Sequence, residues 1–465
     1  RITMKKKIVS IVSVLLIATI LVGCGPTETP TQPTEVETEE PTQPVEITTE
    51  ETPTEAVEVT EPITATFWTA PNPTQTVFWQ SMAEAYMAAQ ANIKIDVSAM
   101  AETPTSEATI LTSIAGGTAP AASENVFIGF GQQLVNSEAL VPLDTMPGWE
   151  DLIKNRHMEQ TIEGWKFADG HYYVLPIYSN AMLMGWRIDI LKELGYDTPP
   201  RTYSEIYEMG EKLKAKYPDK VVWARPALAE NTWWERWFDF FMLYYAASNG
   251  TPIVSGTDIT ADDASAINVL SFMSELSKKG LLLTQQVTDP FETGVEVMDS
   301  LGPWVFAGWK EKYPELHLNE NYVLTPPPVP DDYPADQPIK TFADAKGIVL
   351  YKQEDAKTTE AVWEFIKWVF SDPQNDLTWL EKTTLPPARD DLATNEAFQS
   401  FFEENPQLKA YAEESPYAVP PMAVEKFTEI QTELGDVAIV PVVTSGQDPT
   451  QAWEAFKASL ERLIK

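Results

Sequence analysis

Cysteine is nearly absent: the 465-residue chain holds one, Cys24. A lone thiol closes no disulfide within the chain, so the folded part is held by its core alone. Histidine is scarce too. His157, His171 and His317 stand apart, with no recognisable partners beside them in sequence. The chain has no G-x-S-x-G elbow, H-E-x-x-H motif or EF-hand loop, and Gly129-Phe130-Gly131 lacks the third glycine of a dinucleotide loop. No catalytic residue, metal or cofactor is therefore expected. A glycosidase pair stays open, because two carboxylates about 5–9 Å apart impose no spacing in sequence. Positive charge is also short. Lys and Arg number 33 against 69 Asp and Glu, a net −36, which argues against nucleic acid or an anionic membrane face as partner. It says little about an uncharged ligand.

Long apolar runs are missing except at residues 8–22, which follow the basic Lys5, Lys6 and Lys7. That run has the length of a secretory signal core and is short for a membrane span. It ends Leu21-Val22-Gly23-Cys24, which resembles the lipobox of bacterial lipoproteins. The resemblance implies cleavage before Cys24 and a lipid on its sulfur, with Met4 the more plausible start. An uncleaved anchor helix is the alternative. Both place the remainder outside the cytoplasmic membrane. Residues 25–62 carry Glu as their only charged type, among frequent Thr and Pro. Such a stretch cannot bury enough surface to offset its ordering entropy and reads as an extended tether. The expected parts are a signal peptide at 1–23, a lipidated tether at 24–62, and a folded region from 63. About 400 residues exceed one ordinary core, so two lobes are expected.

The folded region opens with a strand at 63–68. A helix at 76–90 follows, with Phe78, Met82, Ala85, Tyr86 and Ala89 on one stripe. Ile93, Ile95 and Val97 then alternate as a strand. This β-α-β opening favours a parallel sheet with right-handed crossovers. A helix over 106–115 runs into Gly116-Gly117, and 125–130 reads as the next strand. Thr202 to Glu205 fits a capping box, and Thr260 to Asp263 marks another helix start. Asp372-Pro373 and Asp448-Pro449 each place a cap before a first-turn proline.

Aromatics are what the chain has in plenty, fifteen tryptophans among them. Trp363, Trp368 and Trp453 lie on amphipathic stripes and read as core. Trp68, Trp149, Trp165, Trp304 and Trp309 sit in loop-like settings or beside small residues. Trp233 and Trp234 are adjacent and cannot both face one core. A sugar offers an apolar C–H face and a rim of hydroxyls, which a flat indole and nearby Asn, Gln or Asp groups match.

Several blocks resemble the extracellular solute-binding proteins of ABC importers, most closely the maltose- and multiple-sugar-binding group. They are "ATFWTAPNPTQTVFWQSMAEAYMAAQANIKIDV", "IAGGTAPAASENVFIGF" (with Asn125 where Asp is usual), "YYVLPIYSNAMLMGWRIDILKELGYDTPPRTYSEI" (with Trp186-Arg187 for a Tyr-Asn pair), "MDSLGPWVF" and the block ending "TLPPARDDL". The resemblance covers residues 63–465. It implies an α/β, two-lobe periplasmic-binding-protein-like fold of type II, with the ligand in a cleft over a multi-strand hinge. The lobes are expected at 63–178 with 342–386, and at 179–341 with 387–465. Hinge crossings are expected near 176–181, 339–342 and 385–389. Carried over by position, the implied ligand contacts are Trp68, Asn72, Gln132, Gln133, Tyr178, Asn180, Trp233, Trp234, Trp304, Asp344 and Arg389. Arg389 is equally read as a structural salt bridge. The implied partners are a small solute, most simply a carbohydrate, and the membrane permease of the importer, with a monomer held by its lipid. A peptide or amino acid ligand, clamped by Arg225, Arg236 or Arg389, stays open. A secreted carbohydrate-active hydrolase is the rival.

Overall fold

The computed structural model describes residues 61–103 and 105–465. The signal peptide, Cys24 and nearly all of the tether lie outside them. The chain opens with β1 (Ile63–Thr69), α1 (Pro73–Ala89) and β2 (Ile93–Ala99) as a parallel β-α-β unit, Ile63 beside Ile93 and Thr69 beside Ala99. The inward face of α1 holds Phe78, Trp79, Met82, Ala83 and Tyr86, whereas Ala85 and Ala89 are exposed. Trp79 decides this rotation. Its ring packs 4.6 Å from Phe67 and 6.4 Å from Trp379, pulling the buried face toward itself.

α2 (Ser106–Ala115) stops at Gly116, and Gly117 takes the left-handed φ of 65°. β3 (Ala122–Val126) lies parallel to β1. The strand read at 125–130 is therefore corrected: it ends at Val126, and Ile128–Asn136 is a helix, α3. Its glycines allow this helix to nestle. A Cβ on Gly129 would meet the Phe427 side chain at 2.9 Å, and one on Gly131 would meet Val174 at 2.8 Å.

The first sheet runs β2-β1-β3 and then a long strand, Thr341–Leu350, which is antiparallel to β3 and to β4 (Leu175–Ala181). The helices Ala356–Phe370 and Pro373–Thr383 pack on this sheet with α1, through Phe365, Phe370 and Trp379. A second sheet places β5 (Leu183–Trp186) between the antiparallel strands Met298–Leu301 and Val323–Thr325. The helices Phe240–Ser248, Asp263–Lys278 and Pro449–Leu463 pack on one another, and the first of them also packs on the long strand Thr341–Leu350. A separate apolar cluster joins Leu183, Phe306, Trp309, Phe402 and Tyr411 on this side.

Local signals explain where these helices begin. Thr202 and Glu205 close a reciprocal capping box at Tyr203–Lys216. Asp372 and Asp448 cap helices whose first residues are Pro373 and Pro449. The start read at Thr260 moves two residues on. Asp262 is the cap, accepting from the Ser265 amide at 3.0 Å, while the Thr260 hydroxyl donates to the Pro252 carbonyl. Trp363 and Trp453 are core, and so are Trp149, Trp165 and Trp309, which the sequence left in loop-like settings.

Three segments pass between the sheets side by side. β4 pairs with the long strand, Asn180 opposite Asp344 and Tyr178 opposite Lys346. Residues 386–388 run along the other edge of β4, where the Ser179 amide donates to Pro386 and the Ala388 amide donates to Ile177.

Candidate ligand-binding site

The second sheet delivers an aromatic wall. The strand Met298–Leu301 runs back along β5 so that Leu301 pairs with Leu183, next to the crossing strand β4. Gly302-Pro303-Trp304 therefore emerges on the crossing side. A Cβ on Gly302 would lie 2.1 Å from the Trp304 indole, so glycine is what lets the ring lie over the backbone. Trp304 is 43% exposed and Trp234 is 45% exposed, while Trp79, Trp186, Trp223, Trp363, Trp379 and Trp453 are buried. Both exposed rings stand edge-on to Phe238, at 5.8 Å and 6.2 Å. Trp233 turns the other way. It is half-buried against Phe127 at 6.4 Å and Trp237 at 6.0 Å. The adjacent pair thus divides between core and surface.

Polar groups border the wall. Residues 221–225 run beside 296–300, joined by the Val221–Glu296 bridge. This brings Arg225, which pairs with Glu235, near Asp299 and Ser300. Burial pushes Asp299 up to about 6, against the pull of Arg225 and the Ser300 amide. Among the described residues, Arg225 Nε and Ser300 Oγ are buried without a hydrogen-bond partner. Glu296 is fully buried; burial and the neighbouring Asp299 raise its pKa, and it accepts from the Ala224 amide at 2.5 Å.

The crossing strands make the floor. Asn180 Nδ2 donates to Asp344 Oδ2 at 3.3 Å, and Asn180 Oδ1 is buried with no partner. Burial raises the Asp344 pKa, with Lys346 and Asn180 opposing. Tyr178 is held neutral by burial, its ring 6.2 Å from Trp379. Tyr178, Asn180 and Asp344 are thus brought together, and Trp234 meets Trp304 through Phe238.

The other sequence-derived residues fall elsewhere or are already engaged. Asn72 caps α1, accepting from the Thr74 amide at 3.0 Å and the Thr74 hydroxyl at 2.9 Å. Trp68 is half-buried in β1 against the core, flanked by Ser98 and Ser123. The two glutamines diverge on α3. Gln133 lines a cavity of about 240 Å³ with Trp233, Phe130 and Phe427. Gln132 donates to Asn136, which in turn donates to Glu425. Arg389 is 1% exposed, with its guanidinium bonded to Asp376 at 3.0 Å and Asp391 at 2.8 Å. Arg156 takes the other side of Asp376 at 2.9 Å and donates to the carbonyls of Pro176 and Ile177 in β4. Of the two readings of Arg389, the geometry is that of the salt bridge.

Sequence reasoning missed Phe238, Asp299, Ser300, Lys346 and Glu124. Asp299 and Ser300 were inside the quoted G-P-W block, and Glu124 stood one residue before the strand read at 125–130, which the structure places at Ala122–Val126.

A family model described as bacterial extracellular solute-binding protein matches residues 81–410. The chain belongs to that family. The solved structure of an uncharacterized protein from Listeria monocytogenes is 50% identical to this solute-binding protein. It covers 87% of this chain and 100% of its own, with a TM-score of 0.84. Two more distant structures share the fold at 18% identity and a TM-score of 0.70. One is a cyclic alpha-maltosyl-1,6-maltose binding protein from Arthrobacter globiformis, covering 87% of this chain and 99% of its own. The other is a sugar-binding protein from Xanthomonas citri, covering 86% and 97%. The two-lobe periplasmic-binding-protein fold expected from the resemblance is the fold of this solute-binding protein, and the family is an extracytoplasmic one.

Proposed function

We propose that this solute-binding protein captures a carbohydrate, most simply a neutral oligosaccharide, between its lobes. It then hands the sugar to the permease of an ABC importer without making or breaking a bond. The carrying observation is the pair of exposed indoles, Trp234 and Trp304, set on Phe238 beside polar groups that lack partners. Exposed rings offer stacking faces to C–H surfaces, and unpartnered donors and acceptors suit a rim of hydroxyls. The lobes are taken as 63–178 with 342–386, and 179–341 with 387–465. Support comes from three neighbouring crossings, a number suited to rigid-body closure. Closure is driven only by contacts that exist in the closed form. A lipid on Cys24 and an acidic tether fit a receptor held at the membrane with reach toward its permease. A peptide or amino acid is the second ligand class, and Arg225 is the cation that keeps it open.

The test is intrinsic fluorescence and thermal midpoint against mono- and oligosaccharides, amino acids and short peptides. One sugar class is expected to give a saturable spectral change and a raised midpoint, because a ligand of the folded form stabilises it. Trp304→Ala is expected to weaken that response about ten- to hundredfold, the range for loss of a central aromatic contact. A response only to amino acids or peptides removes the carbohydrate assignment. Cleavage of the bound sugar favours the hydrolase.

A further inference from the structure

β3 carries one residue more than its partner. Val126 stands opposite Gly347 and Ser123 opposite Val349, so three steps on β3 face two on the long strand. The extra residue falls at Glu124 and Asn125, and Asn125 takes a φ of 70°. A bulge of this kind re-aims the side chains at its apex. Glu124 is 1% exposed, and its Oε1 accepts from the Ala70 amide at 2.7 Å. Ala70 belongs to the loop at 69–72 that joins β1 to the Asn72 cap of α1, and Asn72 is one of the ligand contacts that the resemblance implies. Thr69 and Thr76 close the same loop by a hydroxyl pair at 2.8 Å. Asn125 accepts from Lys346 at 2.7 Å, which ties the bulge to the floor of the cleft.

A carboxylate here is unfavourable in itself. Burial pushes its pKa up to about 7, while the Ala70 amide, the Trp79 indole and Lys346 favour the ionised form. The Trp79 indole completes no hydrogen bond of its own. A neutral amide at this position would accept the same Ala70 hydrogen bond. What the charge adds is a firmer hold and a response to protons.

We propose that Glu124 is a positioning residue of the cleft. Its carboxylate clamps the 69–72 loop to β3, and proton uptake slackens that loop, so capture is tightest in neutral to alkaline surroundings and weaker in acidic ones. The effect on capture rests on the carbohydrate reading; the effect on the loop does not. The groups facing Glu124 are Lys346, with Asp344 beyond it, on the long strand and Tyr178 on β4. α1 contributes Trp79, which does not titrate, and the loop after β1 contributes the Ala70 amide.

The experiment follows the Ala70 amide by NMR in the full chain labelled on alanine nitrogen, from about pH 5 to about pH 8.5. The resonance is expected to titrate near neutrality in the wild type and in Asp344→Asn, and to stay fixed in Glu124→Gln. A flat wild-type resonance, or the same titration in Glu124→Gln, overturns the clamp. Affinity for maltotetraose and other uncharged oligosaccharides is then measured across the same range. Wild-type capture is expected to weaken about tenfold at the acid end, the difference between a charged and a neutral acceptor, and Glu124→Gln is expected to lose that dependence. A pH dependence that persists in Glu124→Gln removes the positioning role. If no sugar binds while Ala70 titrates as expected, the clamp stands and the carbohydrate reading falls.

Discussion

Two residues that look alike as candidates separate once their surroundings are known. Trp304 keeps an exposed ring over Gly302, whereas Arg389 lies buried between Asp376 and Asp391. The G-P-W spacing made Trp304 legible. Nothing local to Arg389 revealed Arg156, more than 200 positions away, as the second cation on Asp376. Arg389→Met is expected to lower unfolding stability by about 3 kcal/mol, because it takes one of two cations from buried Asp376 and the guanidinium from Asp391, leaving Arg156 and Asn395 as their remaining partners. Urea unfolding reads this, and sugar affinity well below the midpoint is expected to hold within about twofold. A large loss of affinity with unchanged stability would return Arg389 to the ligand. Glu124 gives a pH prediction with a definite sign. Its pKa is about 7 in the fold against an ordinary 4.5, so the unfolded chain releases this proton first. The contribution is fully present below about pH 4.5 and is lost as pH rises toward 7, at most about 3 kcal/mol. Unfolding at both ends of that window is expected to show Glu124→Gln gaining on the wild type as pH rises. A constant difference between the two proteins would mean that Glu124 titrates normally.

At the scale of elements, the readable signals were those that act within a few residues. The β-α-β opening, the Thr202 box and the Asp-Pro starts were all plain, because each cap satisfies its own helix. α3 was misread because an apolar run with two glycines fits a strand as well as a helix, and the decision lies with distant Phe427 and Val174. The bulges were invisible for the same reason. The long strand meets one on each side of Gly347, where β3 carries the extra residue near Glu124 and β4 another at Ile177. Between them the backbones approach so closely that a Cβ on Gly347 would lie 2.3 Å from the Leu175 carbonyl oxygen. Gly347→Ala must therefore displace backbone and is expected to cost about 3 kcal/mol or more, since overpacking against a main chain has no rotamer to relieve it. The thermal midpoint checks this. An unchanged midpoint would show that β4 and the long strand part easily, and the floor would then be a poor support for the clamp on the 69–72 loop.

Over the whole molecule, length and the opening β-α-β unit pointed to two α/β lobes, and the five resembling blocks pointed to the family. The site was less legible, because its wall, floor and loop come from stretches of chain far apart in sequence. Net charge is the property that belongs to this scale alone. The chain carries −36, so its surface repels itself and anions alike. Added salt shortens the screening length from about 10 Å at 0.1 M to about 3 Å at 1 M. The folded protein is then expected to gain stability as salt rises. A neutral oligosaccharide held by indole faces and hydroxyl contacts has no charge for that screening to act on. Its affinity is expected to stay within about twofold between about 0.05 M and 0.5 M sodium chloride. A cationic ligand, drawn by the same acidic surface and by Asp299 or Asp344, would instead weaken steadily over that range. Calorimetry at several salt concentrations separates the two. A steep fall would make charge the basis of recognition, and the tryptophan pair would then be the wall of a site built for another class of solute.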